Sequence, residues 1–304
     1  LKKFMRNLVL KHMHLQLMKK YPYNLQNNSI INVKNSINSG QVFLWKKNND
    51  IWYGVNGQDI LKISKTGIIK SYQNTKTDFF RKRDNIEKII KSISKDDVTK
   101  KAVKQYLGLR ILEQDPFQCL ISFIVSSNSN IQKIKNSLEK ISKKFGEKVE
   151  FEKQEFFLFP KPENLAKVSI NEIKSCGVGY RAKFIIEAAN MVVLKKINFE
   201  YLKKCNYLDA KEEICKIPGV GNKVADCILL FSLNKLESFP LDRWMIRILE
   251  KYYSDKFQLG TKSITQKQYE ILHEKIVNHF GPYAGYAQQF LFKMERENYQ
   301  KKWL

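Results

Sequence analysis

The segment Lys216-Ile217-Pro218-Gly219-Val220-Gly221-Asn222-Lys223-Val224-Ala225-Asp226-Cys227 constrains this chain more than any other. Pro218 and the glycines that follow require a tight turn, and the apolar spacing around it is helical. Two helices joined by a hairpin result, with Lys223 on the first turn of the second. A hairpin of this kind turns backbone N–H groups outward, where they can meet a DNA phosphate. Asp242 comes 19 residues after Lys223, behind Pro240-Leu241 and ahead of the apolar run Trp244-Met245-Ile246-Arg247-Ile248-Leu249. That is the position of an N-cap.

Charge points the same way. The formal net charge of +24 and pI near 9.7 favour a polyanionic partner and so support a nucleic-acid reading. Lys, Asn and Ile are abundant throughout, however, so composition alone would also make the chain basic. Its 304 residues can hold two modest domains. The five cysteines (Cys119, Cys176, Cys205, Cys215, Cys227) form no C-x-x-C pair, which argues against an iron–sulfur cluster or a cysteine zinc site. Reduced thiols in an intracellular, DNA-associated monomer are the simpler expectation. His12, His14, His273 and His279 are too scattered to suggest a metal site, and no apolar run approaches a membrane span. The first residue is leucine, and Met5, Met13 and Met18 are alternative starts. Residues 1–17 are expected to form a disordered basic tail rather than a signal or transit peptide.

Residues 30–75 read as strands. Gln41 to Trp45 meets a polar turn at Lys46 to Asp50, and Ile51 to Val55 meets Asn56-Gly57, a type I′ hairpin signal. Leu61 to Ser64, a turn at Lys65-Thr66-Gly67, and Ile68 to Tyr72 continue the meander. From about residue 85, Ile86, Ile89, Ile90 and Ile93 recur at helical spacing, and nearly all later segments follow. The expected fold is α+β: a basic tail at 1–17, a β-rich domain of twisted antiparallel sheet at 18–100, and a helical domain of two subdomains at 101–304.

Lys223 and Asp242 supply a nucleophile and a fixed anion. The positive end of the helix dipole favours the neutral amine that a Schiff-base lysine needs. An N-cap carboxylate is expected to stay ionised and rigid, able to stabilise positive charge on a deoxyribose as a base departs. Cys227 lies four residues past Lys223 on the same helix face. Gln288 and Phe292 share that spacing. A thiol wall, an aromatic wall and an amide would make a purine pocket. Taken singly, each has an ordinary explanation as a surface lysine, a helix cap or core packing. Together they point to an enzyme that cuts a base from DNA and holds the sugar covalently.

These residues resemble those of the 8-oxoguanine DNA glycosylases of the helix–hairpin–helix superfamily, in their eukaryotic-type branch. The match covers Ile217 to Cys227, Asp115-Pro116-Phe117-Gln118-Cys119, Ser126-Ser127-Asn128-Ser129-Asn130, Gly177-Val178-Gly179-Tyr180-Arg181-Ala182-Lys183 and Gly281-Pro282-Tyr283-Ala284-Gly285. Ser39-Gly40-Gln41-Val42-Phe43-Leu44-Trp45 matches that branch's β domain, so the resemblance spans roughly residues 30–295. It implies a glycosylase/AP lyase that flips 8-oxoguanine out of duplex DNA, with the site in the cleft between the helical subdomains. Lys223 would form an imine with the sugar and Asp242 would stabilise the oxocarbenium-like state, before β-elimination nicks the strand.

The Gly40 carbonyl would read the N7–H that only the oxidised base carries, Cys227 and Phe292 would sandwich the purine, and Gln288 would read its Watson–Crick edge. Tyr180 would wedge into the gap, with Asn128 and Arg181 bonding the stranded cytosine. Gly219 and Gly221 would meet phosphate. No cofactor is required, although the carbonyls of Cys215, Ile217 and Val220 would hold a structural cation.

Two departures stand out. Lys133 replaces an arginine for the opposite cytosine, and lysine has no planar fork. Trp244 replaces a phosphate-contacting histidine, whose acidic neighbour is Glu295. The competing readings are a non-catalytic helix–hairpin–helix DNA-binding module and a related glycosylase for another damaged base.

Overall fold

Alternation and turn chemistry set the sheet. The computed structural model describes residues 31–64, 69–74, 77–257 and 264–301. Strands β1 (Trp45–Asn48), β2 (Ile51–Asn56), β3 (Asp59–Ile63) and β4 (Ile69–Ser71) pair antiparallel in sequence order. Because side chains alternate, Trp45, Leu61 and Ile63 share one face, where they pack with Val33, Ile37, Phe79 and Phe80. Trp45 stacks on Phe79 with centroids 5.0 Å apart. The other face presents Ile60, which packs against Val149 and Leu158.

Three local expectations need correction. Residues 33–37 form a short helix, α1 (Val33–Ile37), and 41–44 precede the first strand instead of belonging to it. Asn32 starts α1 by accepting a hydrogen bond from the Asn35 N–H, a cap that leaves too short a helix to show periodicity. The turn after β2 is Gly57-Gln58, since Asn56 pairs with Asp59. Only Gly57 of the two has positive φ, the pattern of type II′ and not I′. The Asn56 side chain instead accepts from the Asp115 N–H and ties the sheet to the helices. Finally, a second hairpin, β5 (Lys148–Phe151) and β6 (Gln154–Phe157), interrupts the helical region. The expected tail at 1–17 and turn at Lys65-Thr66-Gly67 lie outside the described residues.

The helical part contains α2 (Ile86–Ile93), α3 (Asp97–Gln105), α4 (Pro116–Ser126), α5 (Ile131–Phe145), α6 (Pro162–Ala166) and α7 (Ile170–Ile173). Irregular turns at 174–181 lead into α8 (Ala182–Val193), then α9 (Phe199–Lys204), α10 (Tyr207–Cys215), α11 (Asn222–Ser232), α12 (Arg243–Tyr253), α13 (Gln266–Phe280) and α14 (Ala284–Lys301). The division expected between 100 and 101 falls within α3. Helices α4 and α11 pack together and are buried over most of their lengths. Burying each of Ile228, Leu229 and Leu230 contributes roughly 1.5–3 kcal/mol. This packing makes α11 a rigid mount for Lys223 on its first turn. Among the described residues, no helix is long and apolar enough to cross a membrane.

Candidate active site

The hairpin between α10 and α11 is a β-turn closed by the Val220 N–H donating to the Ile217 carbonyl at 3.0 Å. Pro218 and Gly219 are its central residues. Gly219 has φ +83, and a Cβ there would lie 2.6 Å from the Phe184 ring, so both backbone and space exclude a side chain. Ile217 and Val220 are buried and anchor the turn. Gly221 then caps α11 without a side chain, and nothing lies within 4 Å of where its Cβ would be. The first N–H groups of α11 are thus left open on the exposed side of the hairpin.

Lys223 is half-buried, its Nζ 5.4 Å from the centroid of Phe123. One turn on, Cys227 is buried, and that burial pushes its thiol up to about 12 against the opposing pull of Lys223. It is a neutral wall. Asp242 caps α12 as expected, accepting from the Met245 N–H at 2.8 Å. The expectation of a comfortably ionised carboxylate needs adjustment, because burial raises Asp242 above its ordinary value. Lys223, the N–H groups of Met245 and Trp244, and Arg296 act in the opposite direction. Asp242 remains partly open to solvent although protein atoms crowd it. Lys223 and Asp242 feel each other's charge without a direct ion pair.

Gly40 is held near these residues through its neighbour. Gln41 is fully buried, donating to the Arg110 carbonyl at 2.9 Å and accepting from the Leu112 N–H at 2.9 Å. This clamp holds the 39–44 segment on the helical body. Gly40 itself has φ +84, and a Cβ there would lie 3.3 Å from both the Phe292 ring and the Arg296 guanidinium. Its carbonyl accepts no hydrogen bond among the described residues. Gln288 lies one turn before Phe292 on α14, buried, with its Oε1 accepting from Gln289 at 2.6 Å.

A second group forms beside the hairpin. Asn128 is exposed in the left-handed region at φ 50, and Tyr180 is 58 % exposed. Arg181 is buried, donating to the carbonyls of Ser127, Asn128 and Val178. Its guanidinium also sits 4.6 Å from the Tyr180 ring. Arg181 therefore ties the two loops together. Lys133 stands exposed on the first turn of α5, where among the described residues only its backbone is engaged, by Asn130. Trp244 meets Tyr299 edge-on at 5.1 Å and Arg247 at 5.8 Å, while Glu295 accepts from Lys251 and Tyr252. Glu295 is thus engaged by residues about two turns along α12 from Trp244.

Two features escaped the sequence reading. Arg296 continues the α14 face that bears Gln288 and Phe292, at four-residue steps that offered a usable signal. The other is a buried cluster beneath Asp242. Asp226, with no exposed surface, accepts from Tyr207 at 2.7 Å and Tyr269 at 2.5 Å, with Lys211 3.5 Å away. The Tyr269 hydroxyl in turn accepts from the Leu241 N–H at 3.2 Å. This chain of bonds fixes the backbone next to Asp242 to the helix that carries Lys223. Tyr269→Phe should destabilise the fold by about 1–3 kcal/mol in urea unfolding, since it strips a partner from a buried carboxylate and from a buried N–H. A loss below a few tenths of a kcal/mol would contradict this role.

Residues 23–120 match the family described as 8-oxoguanine DNA glycosylase, N-terminal domain. Residues 121–274 match the HhH-GPD superfamily base excision DNA repair protein. The chain is 32% identical over 276 residues to N-glycosylase/DNA lyase OGG1 of Arabidopsis thaliana, covering 84% of this chain and 75% of that relative. The structure of MBOgg1 in complex with a low affinity DNA ligand superimposes with a TM-score of 0.80 at 33% identity, covering 88% of this chain and 93% of the other. The Clostridium acetobutylicum 8-oxoguanine glycosylase/lyase, in complex with duplex DNA containing cytosine opposite 8-oxoguanine, does so with a TM-score of 0.79 at 31% identity. Coverage there is 89% and 93%.

Proposed function

The chain belongs to the 8-oxoguanine DNA glycosylase family of the helix–hairpin–helix base excision repair superfamily, and from that membership we infer that it is an N-glycosylase/DNA lyase acting on 8-oxoguanine in duplex DNA. What supports the assignment to these side chains is a chain of proximities beside an open hairpin: Lys223 and Arg296 both act on Asp242, and Arg296 and Phe292 both flank Gly40. The flipped nucleotide enters there, because its anomeric carbon is shielded inside the duplex.

Lys223 Nζ attacks C1′. The C1′–N9 bond breaks with its electron pair left on the base, and the ionised Asp242 stabilises the positive charge on the sugar. Loss of the amine protons and ring opening give an imine between Lys223 and C1′. Removal of a C2′ proton then expels the 3′ phosphate by β-elimination. Cys227 and Phe292 flank the purine, Gln288 addresses its Watson–Crick edge, and the Gly40 carbonyl accepts from N7–H. Normal guanine would set its N7 acceptor against that carbonyl, an unpaired contact that costs about 1–3 kcal/mol.

Tyr180, Asn128 and Arg181 manage the gap left in the helix, which requires Arg181 to exchange its loop carbonyls for the orphaned cytosine. Lys133 gives that cytosine a weaker partner than arginine would. Gly219, Gly221 and Trp244 face the backbone phosphates. The carbonyls of Cys215 and Val220 accept no hydrogen bond among the described residues, and Ile217 keeps one lone pair free. This donor set suits a structural cation. The protein acts as an intracellular monomer on DNA.

Borohydride trapping on a duplex with one 8-oxoguanine opposite cytosine tests this reading. A covalent protein–DNA adduct is expected. No adduct, with the lesion base still attached, would leave a DNA-binding protein or a glycosylase for a different base.

A further inference from the structure

We propose that Arg296 hydrogen-bonds an exocyclic oxygen on the N7 side of the flipped 8-oxoguanine and stabilises that base as it leaves. This rests on the reading above and adds a residue to it. Arg296 lies eight residues past Gln288 and four past Phe292 on α14, so all three share one face. Its Nη1 lies 3.3 Å from the position a Gly40 Cβ would take, and its guanidinium carbon lies 6.0 Å from the Phe292 ring centroid. The guanidinium is half-buried and makes no hydrogen bond or ion pair among the described residues. It feels the charge of Asp242, yet a half-desolvated guanidinium whose N–H groups have no acceptor is costly, and its donors stand beside Gly40.

The chemistry of the lesion supplies the missing partner. On that edge 8-oxoguanine presents O6, N7–H and O8 in a row. If the Gly40 carbonyl takes N7–H, the oxygens on either side lose water and need donors. Arginine offers five in a fixed fork. When C1′–N9 breaks, the electron pair stays on the base and its charge spreads to those oxygens, so a guanidinium there gains strength as the bond opens. Arg296 does not itself reject normal guanine, whose O6 and N7 also attract arginine. Rejection is left to the Gly40 carbonyl, and Arg296 contributes rate.

The test uses Arg296→Leu and Arg296→Lys in three assays beside wild type: single-turnover excision of 8-oxoguanine, borohydride trapping at a preformed abasic site, and affinity for a duplex carrying a stable abasic analogue. Loss of a charge-assisted hydrogen bond to the base should slow excision by Arg296→Leu at least about tenfold. The lysine variant should fall between, since it keeps charge but not the fork. Trapping and affinity should change less than twofold, because no base occupies the pocket in either. Trapping reduced as far as excision would mean that Arg296 acts through Asp242, and the proposal fails. Weaker affinity for the abasic duplex with a shallower salt dependence would mean a phosphate contact, and again it fails. Unchanged excision overturns it as well. Failure of wild type to excise 8-oxoguanine would instead overturn the functional reading, and this proposal with it.

Discussion

Lys223→Gln should abolish both base excision and the trapped adduct, while affinity for the lesion duplex stays within a few-fold of wild type. An amide has no lone pair able to attack C1′, so covalent catalysis is lost outright. The expected fall in single-turnover excision is of the order of 10⁴-fold or more. Binding is spared because one charge among 54 lysines and arginines is removed, and because Lys223 is half-buried. Nor should the fold suffer, since the side chain sits on the open first turn of α11, and its contacts with the Phe123 ring and the Cys227 thiol are ones an amide of similar length can largely keep. Gel-shift affinity and excision on the same duplex check both halves. Excision retained within a hundredfold would remove Lys223 as the nucleophile.

Local signals made the centre of this site legible. Pro218 and Gly219 announce a turn wherever they stand together, and Asp242 after a proline announces a helix start. Both rest on backbone geometry that a few adjacent residues settle. The second hairpin was hidden for the same reason in reverse. Its turn residues, Glu152 and Lys153, both adopt positive φ (50 and 61), a type I′ turn without the usual Asn or Gly. Aromatic packing of Tyr53 on Phe156, 5.7 Å apart, and of Tyr72 on Phe151, 6.1 Å apart, holds it against the sheet. No local reading can see that contact.

Arg296 was missed because its meaning depends on Gly40, more than 250 residues away, being docked beside it by Gln41. The Asp226 cluster left a faint trace, a carboxylate amid the apolar residues of α11, but its three partners come from α10 and α13. Resemblance supplied Gly40, whose own signal is that of any turn glycine. Positions that act alone could be read from the chain; positions that act through tertiary neighbours could not.

Asp242→Asn should separate stability from catalysis. Asparagine caps a helix as well as aspartate does, so the bond to the Met245 N–H and the start of α12 survive. What disappears is the charge. Burial holds the Asp242 carboxyl above its ordinary value of 3.8, so the fold favours the protonated form relative to the unfolded chain. For a group raised in this way, its contribution is fully present below 3.8 and is lost as pH rises through the folded value. At neutral pH the ionised side chain is therefore a net cost to the fold, despite the pull of Lys223. A neutral amide in its place does not carry that cost, so the variant should melt at the same temperature as wild type or higher at pH 7. The difference should shrink toward pH 4.

Excision should fall about 10²–10⁴-fold, because the anion that stabilises the developing sugar cation is gone. Thermal melts across pH and single-turnover excision test the two halves independently. A lower melting temperature at pH 7 would mean that pairing with Lys223 outweighs burial, and near-normal excision would mean that the sugar cation is stabilised elsewhere. The expected pairing of a sturdier fold with a crippled enzyme follows from one fact: the carboxylate is held where a positive transition state, and not the resting protein, favours its charge.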